Sequence, residues 1–381
     1  MIINSKLPNV ANSIFSEMSA LSVQENAINL AQGFPDFPLD KQLINYLSDE
    51  IKNGSHQYAP MPGLISIRET IAEKIANLYD KNISASEEIT ITPGATYAIF
   101  TALKCILEKN DEVIIFEPAY DSYLANIEML GAKVIPIALD FPSYKINWQK
   151  VAEAISNKTK AIIINTPHNP TGTVLNNADI NELKNLVLGK NIFIIADEVY
   201  EHIIFENKKH ESVLLHDDLF EQSFVIYSFG KVVQATGWKL GYCIAPKNLT
   251  LEFRKLHQYI AFTSNTPMQA AINLYLKDPS TYLKWNDFFE QKRNLFCSLL
   301  EKTKFTIYQI SSGTYFQAVG FEQISDENDI EFAKRITKEC KVSAIPFSSF
   351  YKYKTDHKMI RFCFAKNDET LIEAGSRLLK I

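Results

Sequence analysis

The feature that most limits what this 381-residue chain can become is a rhythm in its middle. Between about Glu88 and Pro246, short runs rich in Ile and Val alternate with longer helix-like segments. The runs fall at 89–92, 113–116, 133–137, 161–165, 192–196, 224–228 and 240–245. Several are apolar throughout, which suits strands buried on both faces. Strands separated by helices predict an α/β fold, with a large domain whose mostly parallel seven-stranded sheet is sandwiched by helices.

The two ends read differently. Before about Ile44 there is little regular signal beyond a helix near 14–20. After Asp278 a long helical pattern covers 282–300, and strand-like pieces follow at 305–308, 314–318 and 359–364. This predicts a smaller α+β domain made from both termini, 1–44 and 279–381, beside a large domain over 45–278. Asp278-Pro279 is the hinge candidate, because proline disfavours continuing a helix.

Composition excludes more than it selects. The net charge of −5 is spread over mixed acids and bases, so no basic patch suggests nucleic acid. No run of ~20 apolar residues suggests a membrane span, and residues 1–12 lack the apolar core of a leader. Cys105, Cys243, Cys297, Cys340 and Cys363 form no CxxC pair and are odd in number. That argues against a disulfide framework or zinc site and fits a reducing cytoplasm; no metal is expected. GxGxxG, Walker A, HExxH and GxSxG are all absent.

Open α/β sheets bind ligands beyond the carboxyl ends of their strands. Four such ends carry polar clusters: Thr92-Pro93-Gly94-Ala95-Thr96, Asn165-Thr166-Pro167-His168-Asn169-Pro170-Thr171-Gly172, Asp197-Glu198-Val199-Tyr200 and Ser228-Phe229-Gly230-Lys231. The last leads into Thr236-Gly237-Trp238-Lys239. Taken singly, each has a plainer reading as a turn, a helix start or an exposed side chain. Their occurrence together, each after an apolar strand, is hard to assign to turn-making alone.

On these motifs the chain resembles the class I aminotransferases of the fold type I pyridoxal-phosphate family. The resemblance runs from Gln32-Gly33-Phe34-Pro35-Asp36 to Arg361-Phe362-Cys363-Phe364. It implies pyridoxal 5'-phosphate as cofactor, held by Lys231 as a Schiff base, with the freed lysine then moving a proton at the substrate Cα. Asp197 is expected at the pyridine nitrogen, and Tyr200 and Asn169 at the phenolic oxygen. Tyr120 is expected to stack on the ring. Gly94, Ala95 and Thr96 would take the phosphate at a helix N-terminus, with Ser228 and Lys239 adding a hydroxyl and a charge. Lys239 stands where many relatives carry arginine. Tyr58 matches a tyrosine that reaches the phosphate from a neighbouring subunit, which implies a homodimer with shared sites.

For the substrate, the resemblance assigns the α-carboxylate to Arg361, whose guanidinium suits two parallel hydrogen bonds. The plainer alternative for Arg361 is a structural ion pair, and for Tyr120 it is core packing. Gly33, Phe34, Phe15 and Asn169 are further substrate-side candidates. His168 reads as a supporting or packing histidine. Segment 262–267 offers no second arginine for a dicarboxylate, and aromatic residues are plentiful. The strings Asn165-Thr166-Pro167-His168-Asn169-Pro170 and His257-Gln258-Tyr259 most resemble methionine aminotransferases, with kynurenine aminotransferases next. The expected activity moves the amino group of methionine, or another large apolar or aromatic amino acid, to a 2-oxo acid. The alternative is a kynurenine/glutamine-type aminotransferase with cysteine-conjugate β-lyase activity. A sensor that borrowed the fold is a third reading, opposed by the presence of Lys231, Asp197 and Arg361 together.

Overall fold

The computed structural model describes residues 3–8, 13–54 and 56–381, so half of the stretch 1–12 read as lacking a leader lies outside the described residues. Twelve strands form among them: β1 (Ile28–Asn29), β2 (Ile89–Thr92), β3 (Glu112–Glu117), β4 (Lys133–Ala138), β5 (Thr159–Asn165), β6 (Phe193–Asp197), β7 (Ser223–Ser228), β8 (Gly241–Ile244), β9 (Phe316–Gly320), β10 (Val342–Ser343), β11 (Ile345–Pro346) and β12 (Met359–Cys363). Strands β2 to β8 are the seven apolar runs, each within one or two residues of its expected bounds.

They make one sheet in the order β2-β8-β7-β6-β5-β3-β4. Neighbours from β7 through β4 are parallel, whereas β8 runs antiparallel to both β2 and β7. The reversal has a local cause. A parallel crossover needs about a dozen residues or more, usually a full helix. The link from β7 to β8 holds only the short helix Phe229–Val232 and the 3-10 turn Thr236–Trp238, so the chain doubles back. Both faces of the sheet are covered. Along β5, Ile162 and Ile164 enter one apolar cluster while Ala161 and Ile163 enter another. Each such buried isoleucine contributes roughly 1.5–3 kcal/mol.

A second layer of structure joins the two ends of the chain. The parallel pair β1 with β10 matches Ile28 to Val342, and β11-β12-β9 is an antiparallel sheet. The expected cut between residues 44 and 45 falls inside the helix Lys41–Asn53. The long helical pattern at 282–300 divides into Ser280–Leu283 and Trp285–Leu300. The strand expected at 305–308 is reduced to a single bridge from Thr306 to Gly320. The strand expected from 314 starts only at Phe316, because Thr314 has φ +64, in the left-handed region that extended backbone does not enter.

Register explains where a site can form. Asn165 at the end of β5 is paired with Asp197 at the end of β6. Ser228, ending β7, and Thr92, ending β2, are both paired with Gly241. The four polar clusters therefore emerge along one edge of the sheet. Among the described residues, no helix is long and apolar enough to cross a membrane, and no group of three or more His, Cys, Asp or Glu side chains could hold a metal ion. All five cysteines are unpaired.

Candidate active site

A cavity of about 410 Å³ opens at that edge, lined by Gly94, Ala95, Thr96, Tyr120, Asn169, Asp197, Tyr200, Ser228, Lys231, Lys239 and Arg361, with Gly33 and Phe15 from the N-terminal segment. At one end lies an anion cradle. Gly94 takes φ +89, which a side chain would strain, and precedes the helix Ala95–Ile106. No side chain caps this helix, so its first N–H groups face outward together with the positive end of its dipole. Lys239 sits against the turn, with its Nζ 3.6 Å from where a Gly94 Cβ would stand.

Lys231 follows β7 on the single helical turn Phe229–Val232. Its Nζ donates to Tyr315 Oη and to the Gly33 carbonyl at 3.3 Å, and Tyr315 Oη donates to the same carbonyl at 2.7 Å. Gly33 must be a glycine for this approach, because an added Cβ would stand 2.7 Å from the Phe316 ring. Burial, aided by the Arg361 and Lys239 cations, pushes the Lys231 amine down to about 8. An amine so placed is available as a neutral nucleophile and base near neutral pH.

Asp197 ends β6 and is buried. Tyr123 Oη donates to one carboxylate oxygen at 2.5 Å, and the Val199 N–H to the other at 3.3 Å. Burial pushes this carboxyl up to about 6, against the pull of Tyr123, Val199 and Lys231. Tyr200 stands edge-on to Tyr315 with ring centres 5.2 Å apart, and burial raises its phenol well above the usual range. Tyr120 caps the helix Asp121–Met129 and meets Tyr123 edge-on at 5.6 Å.

Arg361, in the middle of β12, is 1% exposed. One terminal nitrogen donates to Asn169 Oδ1 at 2.6 Å, the other to the Ala31 carbonyl at 3.1 Å. Its guanidinium lies 3.8 Å over the Phe316 ring centre, with Phe350 and Phe15 also beside it. Burial pushes it down to about 10. Among the described residues the arginines in ion pairs are Arg293, Arg335 and Arg377, and not Arg361, whose buried Nε has no hydrogen-bond partner. A buried cation with no carboxylate in contact, facing a cavity, suits an anionic ligand. Among the described residues no carboxylate lies within ion-pair distance of Arg361; Asp121, which lines the same cavity, acts on it only from further off.

Two sequence candidates stand outside this chain's cavity. Phe34 does not line it: the tight turn from Gln32 to Phe34 aims the Gly33 carbonyl inward and leaves the Phe34 ring 40% exposed under Lys366. Tyr58 is 82% exposed and rests edge-on against Phe262. His168 is a packing histidine, bonded to Thr171 at 2.7 Å and pushed down to about 3 by burial. Conversely, sequence reasoning missed Tyr123, Tyr315 and Phe316. For Tyr123 a signal existed, since Tyr120 and Tyr123 share the first turn of a helix that opens at the sheet edge.

Lysine, acid and unpaired guanidinium around one cavity at the edge of this sheet define an amino-group-transfer protein of the pyridoxal-phosphate class. The chain belongs to the class I and II aminotransferases, whose family model matches residues 25–378. It is 43% identical to the methionine aminotransferase of Escherichia coli K12 over all of this chain and 99% of that one. The solved structure of YbdL from Escherichia coli, with a methionine aminotransferase function, superposes with a TM-score of 0.96 at 43% identity, each chain covered completely. N-succinyldiaminopimelate aminotransferase from Mycobacterium tuberculosis superposes at 0.94, with 32% identity and complete cover of both chains. Human kynurenine–oxoglutarate transaminase 3 is 30% identical over 98% of this chain and 89% of its own length.

Aminotransferases of this class use pyridoxal phosphate, and the residues present fit it. The uncapped helix start and Lys239 suit a phosphate. The neutralisable Lys231 suits an aldehyde, and the buried Asp197 suits a protonated ring nitrogen.

Proposed function

We propose that this aminotransferase moves the amino group of methionine, and of other large apolar or aromatic amino acids, to a 2-oxo acid. The observation that carries the α-amino acid reading is Arg361, a buried guanidinium with no carboxylate in contact, in the same cavity as the Lys231 amine. The side-chain preference is supported by the 43%-identical methionine aminotransferase and by the lining of the cavity. Its cations are Lys231, Lys239 and Arg361, which leaves none for a second carboxylate, while Phe15 and Phe316 offer apolar surface.

When bound, pyridoxal phosphate supplies an electron-accepting ring that stabilises the charge left at the substrate Cα. In this reading Lys231 would hold the cofactor through its amine and would be the group that moves the proton at the substrate Cα. Asp197 would keep a proton on the ring nitrogen, with Tyr123 holding the carboxylate in place. Tyr200 and Asn169 would serve the phenolic oxygen, Tyr120 would cover the ring, and Gly94, Ala95, Thr96, Ser228 and Lys239 would hold the phosphate. Arg361 and Asn169 orient the substrate carboxylate, with Gly33 and Phe15 enclosing the rest. We further propose a cytoplasmic homodimer in which Tyr58, exposed here, enters the partner's phosphate site, and a division into a domain over 45–278 and one from 1–44 with 279–381.

A second reading is a kynurenine/glutamine-type aminotransferase with cysteine-conjugate β-lyase activity, of which the kynurenine part is supported by the 30%-identical human relative. A panel of amino donors against 2-oxo acids separates the two. Methionine is expected among the best donors. Faster turnover of aspartate than methionine would overturn the apolar-pocket reading, and ammonia and pyruvate released without an acceptor would favour the lyase.

A further inference from the structure

Glu198 and Glu201 flank the Val199-Tyr200 pair, yet neither lines the cavity. Both are buried, Glu198 completely. Glu198 Oε2 accepts from Ser212 Oγ at 2.7 Å and Tyr227 Oη at 2.8 Å, and lies 2.9 Å from His210 Nε2; Oε1 accepts from the Val213 N–H at 2.9 Å. Four partners around an acceptor-only group mark a fixed carboxylate. Glu201 pairs with the buried Lys74 and accepts from Tyr79 Oη at 3.1 Å, and Lys74 also donates to Tyr242 Oη at 3.1 Å. Tyr227 and Tyr242 stack with ring centres 4.8 Å apart.

Burying charge is costly, several kcal/mol per ion even when paired, and apolar residues of like volume often stabilise as well or better. Such a network therefore calls for a reason other than stability. Its attachments supply one. Glu198 adjoins Asp197, and its own N–H donates to the Ile226 carbonyl at 3.0 Å. Tyr227 precedes Ser228 and leads into the turn bearing Lys231. Tyr242 adjoins Gly241, the register partner of both Ser228 and Thr92. The network thus ties together the three strand ends that hold acid, lysine and phosphate turn.

We propose that Glu198 is a positioning residue for amino transfer, clamping Tyr227 and the Ser212-Val213 turn so that Asp197 and Lys231 keep a fixed separation across β6 and β7. The inference rests on the roles proposed above for Asp197 and Lys231. Glu198 also acts through charge: burial is the main cause that holds the Asp197 carboxyl up, Tyr123, Val199 and Lys231 pull it down, and the adjoining Glu198 adds a smaller upward push. His210 and Tyr227 face Glu198 directly; Lys74, Glu201, Tyr79, Tyr242 and His202 make up the rest of the cluster.

The test uses the cofactor-loaded enzyme with Glu198→Gln, which keeps the shape and removes the charge. The cofactor dissociation constant is expected to rise about tenfold or more, and kcat to fall about tenfold or more with the donor KM within about threefold. The acid limb of kcat is expected to move down by roughly half a pH unit or more, because Asp197 loses an anionic neighbour. Glu198→Asp should restore the acid limb but not kcat, since it returns charge without reach. Tyr227→Phe, which keeps the ring and loses the hydroxyl bonded to Glu198 and Ser212, should shift kcat and cofactor affinity the same way by about threefold, and stands in if Glu198→Gln fails to fold. Unchanged kcat, cofactor affinity and acid limb in these variants, with only the melting temperature lowered, would overturn the proposal. If the wild type showed no transamination, the proposed function would fail instead, and cofactor affinity would still judge Glu198.

Discussion

Replacing Arg361 by Gln separates a receptor for substrate from a strut in the core. The guanidinium can offer a carboxylate two charge-assisted hydrogen bonds, each worth about 1.5–3 kcal/mol. Glutamine returns one neutral bond of about 1 kcal/mol. The loss of transition-state binding is then about 2–5 kcal/mol, and kcat/KM for methionine should fall roughly 30- to 5,000-fold. Stability should move the other way or not at all. Arg361 is buried with no carboxylate in contact, held by Asn169 Oδ1, the Ala31 carbonyl and the Phe316 face, so removing it ends a desolvation cost that these groups offset only in part. Steady-state kinetics and thermal melting of the cofactor-loaded, substrate-free enzyme measure the two quantities. A variant that melts well below wild type while keeping its kcat/KM would refute the receptor argument. Arg361→Lys should fall between, with a point charge in place of a fork.

Lys231→Ala should abolish transamination and the covalent cofactor absorbance while leaving some cofactor bound; retained turnover would remove the central assignment. Tyr123→Phe strips Asp197 of a donor worth about 1.5–3 kcal/mol, so the acid limb of kcat/KM should climb by about 1–2 pH units, opposite to the Glu198→Gln shift. In the cofactor-free protein, the reaction of Lys231 with an aldehyde should rise with pH through about 8. The same depressed amine makes the unfolded chain the better proton binder above pH 8, so stability should increase from there toward the ordinary lysine range, and Lys231→Met should flatten that slope in denaturant melts at several pH values.

The parts of the site that could be read from the chain share a local signature. Asp197 ends an apolar strand, and Gly94, Lys231 and Asn169 lie within four residues past the end of one, where polar clusters and a glycine are conspicuous. The parts that could not be read are aromatic residues whose partners lie far off in sequence. Tyr123 meets Asp197 across 74 residues and Tyr315 meets Lys231 across 84, and each looks like core until the fold brings the partner near. Phe34 misled for a geometric reason: next to a carbonyl that faces inward, its own ring faces out. The direction of β8 depended on how little helix the link before it contains, and the start of β9 on one left-handed threonine. Apolar periodicity marks strands well, but not their sense or the backbone angle that begins them.

The pairing of β1 with β10 sets an order of events in time. By the moment residue 300 is synthesised, the lysine, the acid and the phosphate turn are all present, carried by a sheet complete from β2 to β8. Ile28 must still wait for Val342, and the Gly33 carbonyl for Tyr315, before the N-terminal segment can settle. Arg361 arrives later still. Such distant pairings are slow to form. On the roles proposed above, a growing chain therefore completes its cofactor-side residues before the arginine assigned to the amino acid exists.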